Sequence, residues 1–401
     1  MITLTKGLRI RQLLANPNRN CHAPAIRFHE VEFMKIFQVI NVRWFNATAW
    51  YALYLSKLLS DDGHDVTVVV QPGTLPEAKA REMGLDTVAV DLNSTHPVTF
   101  AKSTSQVVNL LRERQPDIVN CHRGDGFFLW AALKYMGRGY KLVRTRGDQR
   151  APRRDFVNRF MHASVADAVV VTHRRMADYF LKKMRTPADG LWLIHGGVDT
   201  STFHFDAEGR DRVRREFDFS DDHTVVGLLG RFDRVKGQKE LIKTIARLRA
   251  QGREDIRLFL VGFDTAMREE QIQEWLTEYD LRDITRISGR RSDIAACISA
   301  MDIGVIASLW SEAIARAALE IMACNIPLAT TSVGVMPDLA APGTIVPPCD
   351  PEALAKPVAR LMDEPEFRSK VLEAQQRTMS QLSGNDFLRR TLSLYQTLLD
   401  K

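Results

Sequence analysis

Short β-branched runs alternate with longer amphipathic stretches from Met34 almost to the C-terminus, and this rhythm leaves few architectures open. It is the pattern of a parallel sheet whose strands are joined by crossover helices. The sequence predicts a first series of strands over Lys35 to Val42, Asp65 to Val70, Thr87 to Asp91, Asp117 to Cys121, Lys141 to Thr145, Ala168 to Thr172 and Trp192 to Ile194. A second series is predicted over Val225 to Leu229, Arg257 to Val261, Ile284 to Ile287, Ile303 to Ile306, Leu328 to Thr330 and Thr344 to Val346. The polar, charge-dense segment Phe205 to His223 separates them and reads as a linker. The expectation is α/β: two Rossmann-like, doubly wound domains, 34–205 and 206–382, facing across a cleft, with a last helix in 383–401 packing back on the first domain.

At 401 residues the chain suits two domains, each large enough to bury its own core. No run of eighteen apolar residues is present to span a bilayer. Residues 1–33 carry Lys6, Arg9, Arg11, Arg19 and Arg27 without the apolar stretch of a secretory signal, and read as an extension that the fold does not need. A cytoplasmic protein is expected. The cysteines are odd in number, five, and scattered with no C-x-x-C, so neither a disulfide framework nor a zinc site is suggested.

Charge is uneven. Residues 1–205 hold 28 Lys and Arg against 18 Asp and Glu, whereas 206–401 hold 27 against 31. The basic excess crowds between Arg144 and Arg185, which suits either a solvated face or contact with anionic lipid headgroups or a phosphorylated acceptor. No nucleic-acid module is present to favour that partner.

Two motifs carry chemistry. Gly230-Arg231-Phe232-Asp233-Arg234-Val235-Lys236-Gly237 lies between a predicted strand and a helix. Such a turn presents a guanidinium and an ammonium at a cleft, the former able to bind a diphosphate bidentately and the latter as a point charge; taken alone, it reads equally well as a solvated basic turn. The second motif is Glu312 with Glu320 eight residues later. If one helix spans Glu312 to Ala323, the carboxylates sit about 12 Å apart along its axis, too far to share a proton and well spaced for two duties along one extended ligand. Backbone N–H groups of Ala313, Ile314, Ala315 and Arg316 at that helix start would then be available to phosphate.

With Leu260-Val261-Gly262, Ser288-Gly289, Ala307-Ser308-Leu309-Trp310-Ser311-Glu312, Glu320-Ile321-Met322-Ala323 and Thr331-Ser332-Val333-Gly334 in the same order, these pieces resemble the glycosyl transferases group 1, the retaining GT-B family, and within it lipopolysaccharide- and polysaccharide-type members. The resemblance covers roughly Lys35 to Leu399 and is most specific in the second half. It implies that Arg231 and Lys236 hold a donor diphosphate, Glu320 bonds ribose hydroxyls, Glu312 lies against the transferred sugar, and Gly262, Gly289 and Arg290 border the donor. The partners implied are a nucleotide-sugar donor and a glycolipid or polysaccharide-precursor acceptor at the inner face of a membrane. With no Asp-x-Asp in the chain, the expectation is that no metal or other cofactor is needed.

The sequence departs from the family at three points. Val42-Arg43-Trp44-Phe45-Asn46 replaces a Gly-Gly turn, Arg146-Gly147 replaces His-Gly, and Ala313-Ile314-Ala315-Arg316 replaces glycines. Asn46, His122 and Arg146, near predicted strand ends, are the acceptor-side candidates; His122 faces either an acceptor or the packed interior, and Arg316 either reads an anion or meets solvent. The alternatives to transfer are a nucleotide-sugar epimerase of the same architecture and a non-catalytic nucleotide-sugar-binding partner.

Overall fold

The computed structural model describes residues 33–124 and 126–401; the expected extension falls, but for Phe33, outside them. The first sheet holds β1 (Lys35–Ile40), β2 (Asp65–Val70), β3 (Asp86–Ala89), β4 (Ile118–Cys121), β5 (Lys141–Arg146), β6 (Ala168–Val171) and β7 (Leu191–Leu193) in the order β3-β2-β1-β4-β5-β6-β7. The second holds β8 (Thr224–Leu229), β9 (Ile256–Val261), β10 (Thr285–Ile287), β11 (Ile303–Ile306), β12 (Leu328–Thr331) and β13 (Ile345–Val346) in the order β10-β9-β8-β11-β12-β13. All pairings are parallel; Ile36 lies opposite both Val66 and Ile118, so β1 runs between β2 and β4. The winding reverses between β1 and β4, and again between β8 and β11, which opens a crevice at the carboxyl ends of each sheet.

Both faces of each sheet are covered, and the strands read as nearly continuous buried runs, as parallel strands must. Helix α1 (Ala47–Asp61) covers β1 and β2, its N-terminus capped by Asn46, whose side chain accepts from the Ala49 N–H at 3.0 Å. Further along come α2 (Phe127–Tyr135), α3 (Phe156–Phe160), α4 (Ala207–Glu216), α5 (Gln238–Ala250), α6 (Arg316–Ala323) and α7 (Gly384–Leu399). The last helix buries Phe387, Leu394, Tyr395 and Leu398 in the core of the first sheet, beside α1. There the Tyr395 hydroxyl accepts from Asn120 Nδ2 at 2.9 Å and Gln38 Nε2 at 3.3 Å.

The expected linker is instead built structure. Asp206 caps α4 by accepting from the Gly209 N–H at 2.8 Å, Val213 and Phe219 enter the second core, and buried Arg214 donates to Asp302 at 3.1 Å and the His223 carbonyl at 3.0 Å. Several charges of this segment are answered internally, Arg210 and Arg214 by Asp302 and Glu216 by Arg291. The chain passes between sheets at Val198, which pairs with the returning chain at Ser383: the Val198 N–H donates to Leu382 O and the Gly384 N–H to Val198 O, at 2.9 and 3.0 Å. Gly197 permits this approach, because a Cβ there would lie 2.7 Å from the Ser383 carbonyl oxygen.

Candidate active site

The Gly230–Gly237 turn continues the pairing of β8 past its end. The Gly230 N–H donates to Val261 O at 2.9 Å and the Phe232 N–H to Phe263 O at 2.8 Å. Strand-like alternation buries Phe232 and turns Arg231 and Asp233 the other way. Asp233 accepts from the Val235 N–H at 3.1 Å and from Arg231 at 2.6 Å, which fixes both the turn and the guanidinium. Gly262 lets the neighbouring loop in, since a Cβ there would stand 2.2 Å from Gly230 O. Gly237 has φ of +73°, and its absent Cβ would lie 2.0 Å from Ala307 O. The turn is therefore pressed onto the end of β11 with no room for a side chain.

That contact brings Lys236 to Glu312. The Lys236 ammonium donates to Glu312 Oε1 at 2.5 Å, and Ser308 Oγ donates to the same oxygen at 2.6 Å. Glu312 is nearly buried, and its backbone is gripped from both sides: its N–H donates to Gln149 Oε1 of the first domain at 2.9 Å, and its carbonyl accepts from the Val335 N–H at 2.8 Å. Glu320 is also buried and is held by the Arg316 guanidinium one turn before it. Burial raises the Glu320 carboxyl above its ordinary range, opposed by the positive charges of Arg316 and Lys236. Lys236 thus serves both carboxylates, by a hydrogen bond to one and through space to the other.

These charges occupy the carboxyl edge of the second sheet, around the reversal between β8 and β11. Three of these cations have internal partners: Arg231 with Asp233, Lys236 with Glu312, Arg316 with Glu320. These three pairs sum to zero charge, so a dianionic group reaching them meets donors whose charges are already partly answered and must exchange partners with them.

Residues 209–378 match the family model of the glycosyl transferases group 1, and residues 48–202 match that of glycosyltransferase family 4. The chain belongs to the glycosyl transferases group 1. It is 27% identical over 214 residues to the MMP alpha-(1->4)-mannosyltransferase of Mycolicibacterium hassiacum, covering 51% of this chain and 48% of that one. The chain spans about half the length of the curated relatives it matches. Among solved structures, a glycosyltransferase from Rickettsia africae superposes with a TM-score of 0.82 at 19% identity, covering 92% of this chain and 100% of that one. Anabaena HepE, in complex with UDP and glucose, superposes with a TM-score of 0.77 at 16% identity, covering 91% and 100%. These superpositions fit the GT-B fold.

Several residues of the chain sit differently from expectation. Glu312 is not in a helix. Helix α6 begins at Arg316, because Ala315 takes the left-handed conformation, φ +54° and ψ +48°, so the two glutamates are not two turns of one helix. Ala313 and Ile314 reach into the first domain: Thr172 Oγ1 donates to Ala313 O at 2.7 Å, and Ile314 joins the core beside α1, packed over Gly147 and Gly196. Gly289 has φ of +67° in open space, and the Arg290 guanidinium lies 4.0 Å over the Phe263 ring.

The acceptor-side expectations fare differently again. His122 is fully buried, its Nε2 2.6 Å from Gln38 Oε1, and burial with the nearby Arg144 charge pushes its pKa down to about 3. It is a neutral core residue and does not face an acceptor. Arg146 is also buried, donating to Asp148 at 2.8 Å and to Arg150 O at 2.5 Å, and burial lowers its pKa. Asn46 spends its side chain on the cap of α1. What the sequence did not point to is a cavity of about 420 Å³ at the carboxyl ends of β1, β3 and β4, between Arg43, Trp44, Asp91, Phe100, Arg123 and Phe128. The rings of Trp44, Phe100 and Phe128 are about half exposed. A possible signal lay in Arg43-Trp44, the bulky pair standing where the family has glycines.

Proposed function

We propose that this chain transfers a sugar, with retention, from a nucleotide diphosphate sugar to a hydroxyl of a glycolipid or polysaccharide precursor in cell-envelope glycan synthesis, such as that of lipopolysaccharide, at the cytoplasmic side of a membrane. The observation that carries this reading is the convergence of Arg231, Lys236, Glu312 and Glu320 at one sheet edge, against the first domain. Arg231 and Lys236 take the diphosphate, Glu320 accepts from ribose hydroxyls, and Glu312 accepts from hydroxyls of the transferred sugar. The 420 Å³ cavity of the first domain takes the acceptor, whose sugar ring lies against Trp44 or Phe128.

In the reaction the acceptor oxygen bonds to the anomeric carbon as the bond from that carbon to the phosphate oxygen breaks. The departing phosphate oxygen receives the acceptor proton on the same face of the sugar, so retention needs no protein nucleophile. Negative charge grows on the diphosphate as the bond breaks, and Lys236 and Arg231 stabilise it more in the transition state than in the ground state. These cations do the work a metal would otherwise do.

The test is a thermal-shift panel of UDP-, GDP- and ADP-sugars, because a ligand that binds only the native state raises the melting temperature, followed by release of nucleoside diphosphate in the presence of acceptor. One donor should stabilise the wild type and not Lys236→Ala. Conversion of the nucleotide sugar to an isomer without acceptor would replace transfer with epimerisation.

A further inference from the structure

The first domain carries an apolar ridge that nothing in the described residues covers. Phe156 is 80% exposed, Tyr135 72%, Met136 71% and Val157 49%. They form one surface: Phe156 stacks on Phe160 with ring centroids 6.2 Å apart, and Phe160 meets Tyr135 edge-on at 5.6 Å. Large aromatic side chains pay heavily for exposure to water, and a contiguous group of them marks a surface that meets something.

The ridge is bordered by positive charge. Residues 134–185 hold 14 Lys and Arg against four Asp and no Glu. Arg153 and Arg154, directly before α3, are both exposed. The Tyr179 hydroxyl donates to Pro152 O at 2.7 Å, which ties this segment to the helix leading to exposed Lys182 and Lys183. The acids are engaged: Asp148 with Arg146, Asp155 as the α3 cap, Asp167 with Lys134 and Asp178 with Lys182.

We propose that the Tyr135–Met136–Phe156–Val157 ridge, with Arg153 and Arg154 beside it, docks on an anionic lipid bilayer. Aromatic and aliphatic side chains enter the boundary between headgroups and acyl chains while the arginines meet phosphates, the arrangement of a protein that lies on a membrane. No described helix is long and apolar enough to cross one. A second copy of this chain is disfavoured as the occupant, because a two-fold interface sets the same cationic border against itself. Phe128, on the rim of the acceptor cavity, lies two turns before Tyr135 on the same side of α2, about 10 Å away along the axis. On the transferase reading, a docked enzyme therefore holds its acceptor cavity next to the headgroups of a lipid-anchored substrate.

Sedimentation of the full chain with vesicles of phosphatidylcholine containing 30% phosphatidylglycerol tests the proposal. Binding should exceed that to pure phosphatidylcholine by more than tenfold and fall as salt is raised. The double charge reversal Arg153→Glu with Arg154→Glu should weaken binding at least tenfold. Phe156→Ser with Val157→Ser should weaken it to a similar degree while melting temperature and turnover of a soluble acceptor analogue stay near wild type. Equal binding to neutral vesicles, no binding, or a concentration-dependent dimer abolished by the same substitutions would overturn the proposal. Lys236→Ala should still bind vesicles, so loss of docking and loss of transfer are read separately.

Discussion

Lys236 is the residue on which the site turns. It reaches Glu312 directly and lowers the cost of keeping Glu320 ionised, and in the proposed reaction it faces the leaving phosphate. Its replacement by Ala should reduce turnover about a hundredfold, a loss of about 3 kcal/mol in transition-state stabilisation, with circular dichroism unchanged; a Lys236→Ala enzyme with wild-type turnover would remove it from the mechanism. Glu320 invites a second test. Its carboxyl is raised by burial, so the native state binds this proton more tightly than the unfolded chain does, and stability from this group is present below the ordinary 4.5 and lost as pH rises through the folded value. Glu320→Gln should therefore gain stability relative to wild type as pH rises from 4 to 7, seen by calorimetry, while losing donor affinity. A Glu320→Gln protein that loses stability relative to wild type over that pH range would contradict this. Arg231, Lys236, Glu312 and Glu320 could be singled out in the sequence because the turn and the paired glutamates are local patterns, and the fold brings them to one sheet edge. His122 and Arg146 were not, because position near a strand end does not say which way a side chain points: opposite Gln38, His122 points into the core.

At the scale of elements, the site depends on two loops pressed together where glycine alone fits. A methyl group at residue 237 would meet Ala307 O in a left-handed backbone. Gly237→Ala should cost about 2 to 4 kcal/mol by chemical denaturation and pull Lys236 from Glu312; a cost below about 0.5 kcal/mol would mean that the turn is less tightly held than described. Gly334 plays the same part behind Glu312, with φ of +62° and a would-be Cβ 2.0 Å from the Glu312 carbonyl oxygen. Strand positions were legible, because apolar runs between helix-length stretches define them within a residue or two. The start of α6 was not. Glu312 to Ala323 looks helical throughout, and only the left-handed Ala315, a conformation Ala seldom adopts, delays the helix to Arg316. The segment after Phe205 was misread for a related reason: Val213 and Phe219 are too sparse among charges to announce a core, yet Arg210 and Arg214 find Asp302.

Across the whole molecule, the two sheets are joined at Val198 by paired crossings and latched at Gln149, Thr172 and Ile314. These contacts join positions more than a hundred residues apart, and no local pattern encodes them. Ile314 follows Glu312 in the loop proposed to meet the donor yet packs in the first domain, so the proposed function predicts that donor binding and domain closure are coupled through it. Ile314→Ala should loosen the latch, increasing the radius of gyration in small-angle scattering and raising the KM for donor more than it lowers kcat; unchanged dimensions and KM would uncouple the two. The exposed ridge of the first domain lies outside this arrangement, and its proposed partner is a lipid surface.

In the proposed function the basic turn of the second domain and the two buried glutamates receive a single ligand. A crystal structure with a bound nucleoside diphosphate tests this directly. The diphosphate is expected within hydrogen-bond reach of Arg231 and Lys236, with ribose hydroxyls on Glu320. A diphosphate bound away from these groups, with the Lys236–Glu312 and Arg316–Glu320 pairs undisturbed, would contradict it.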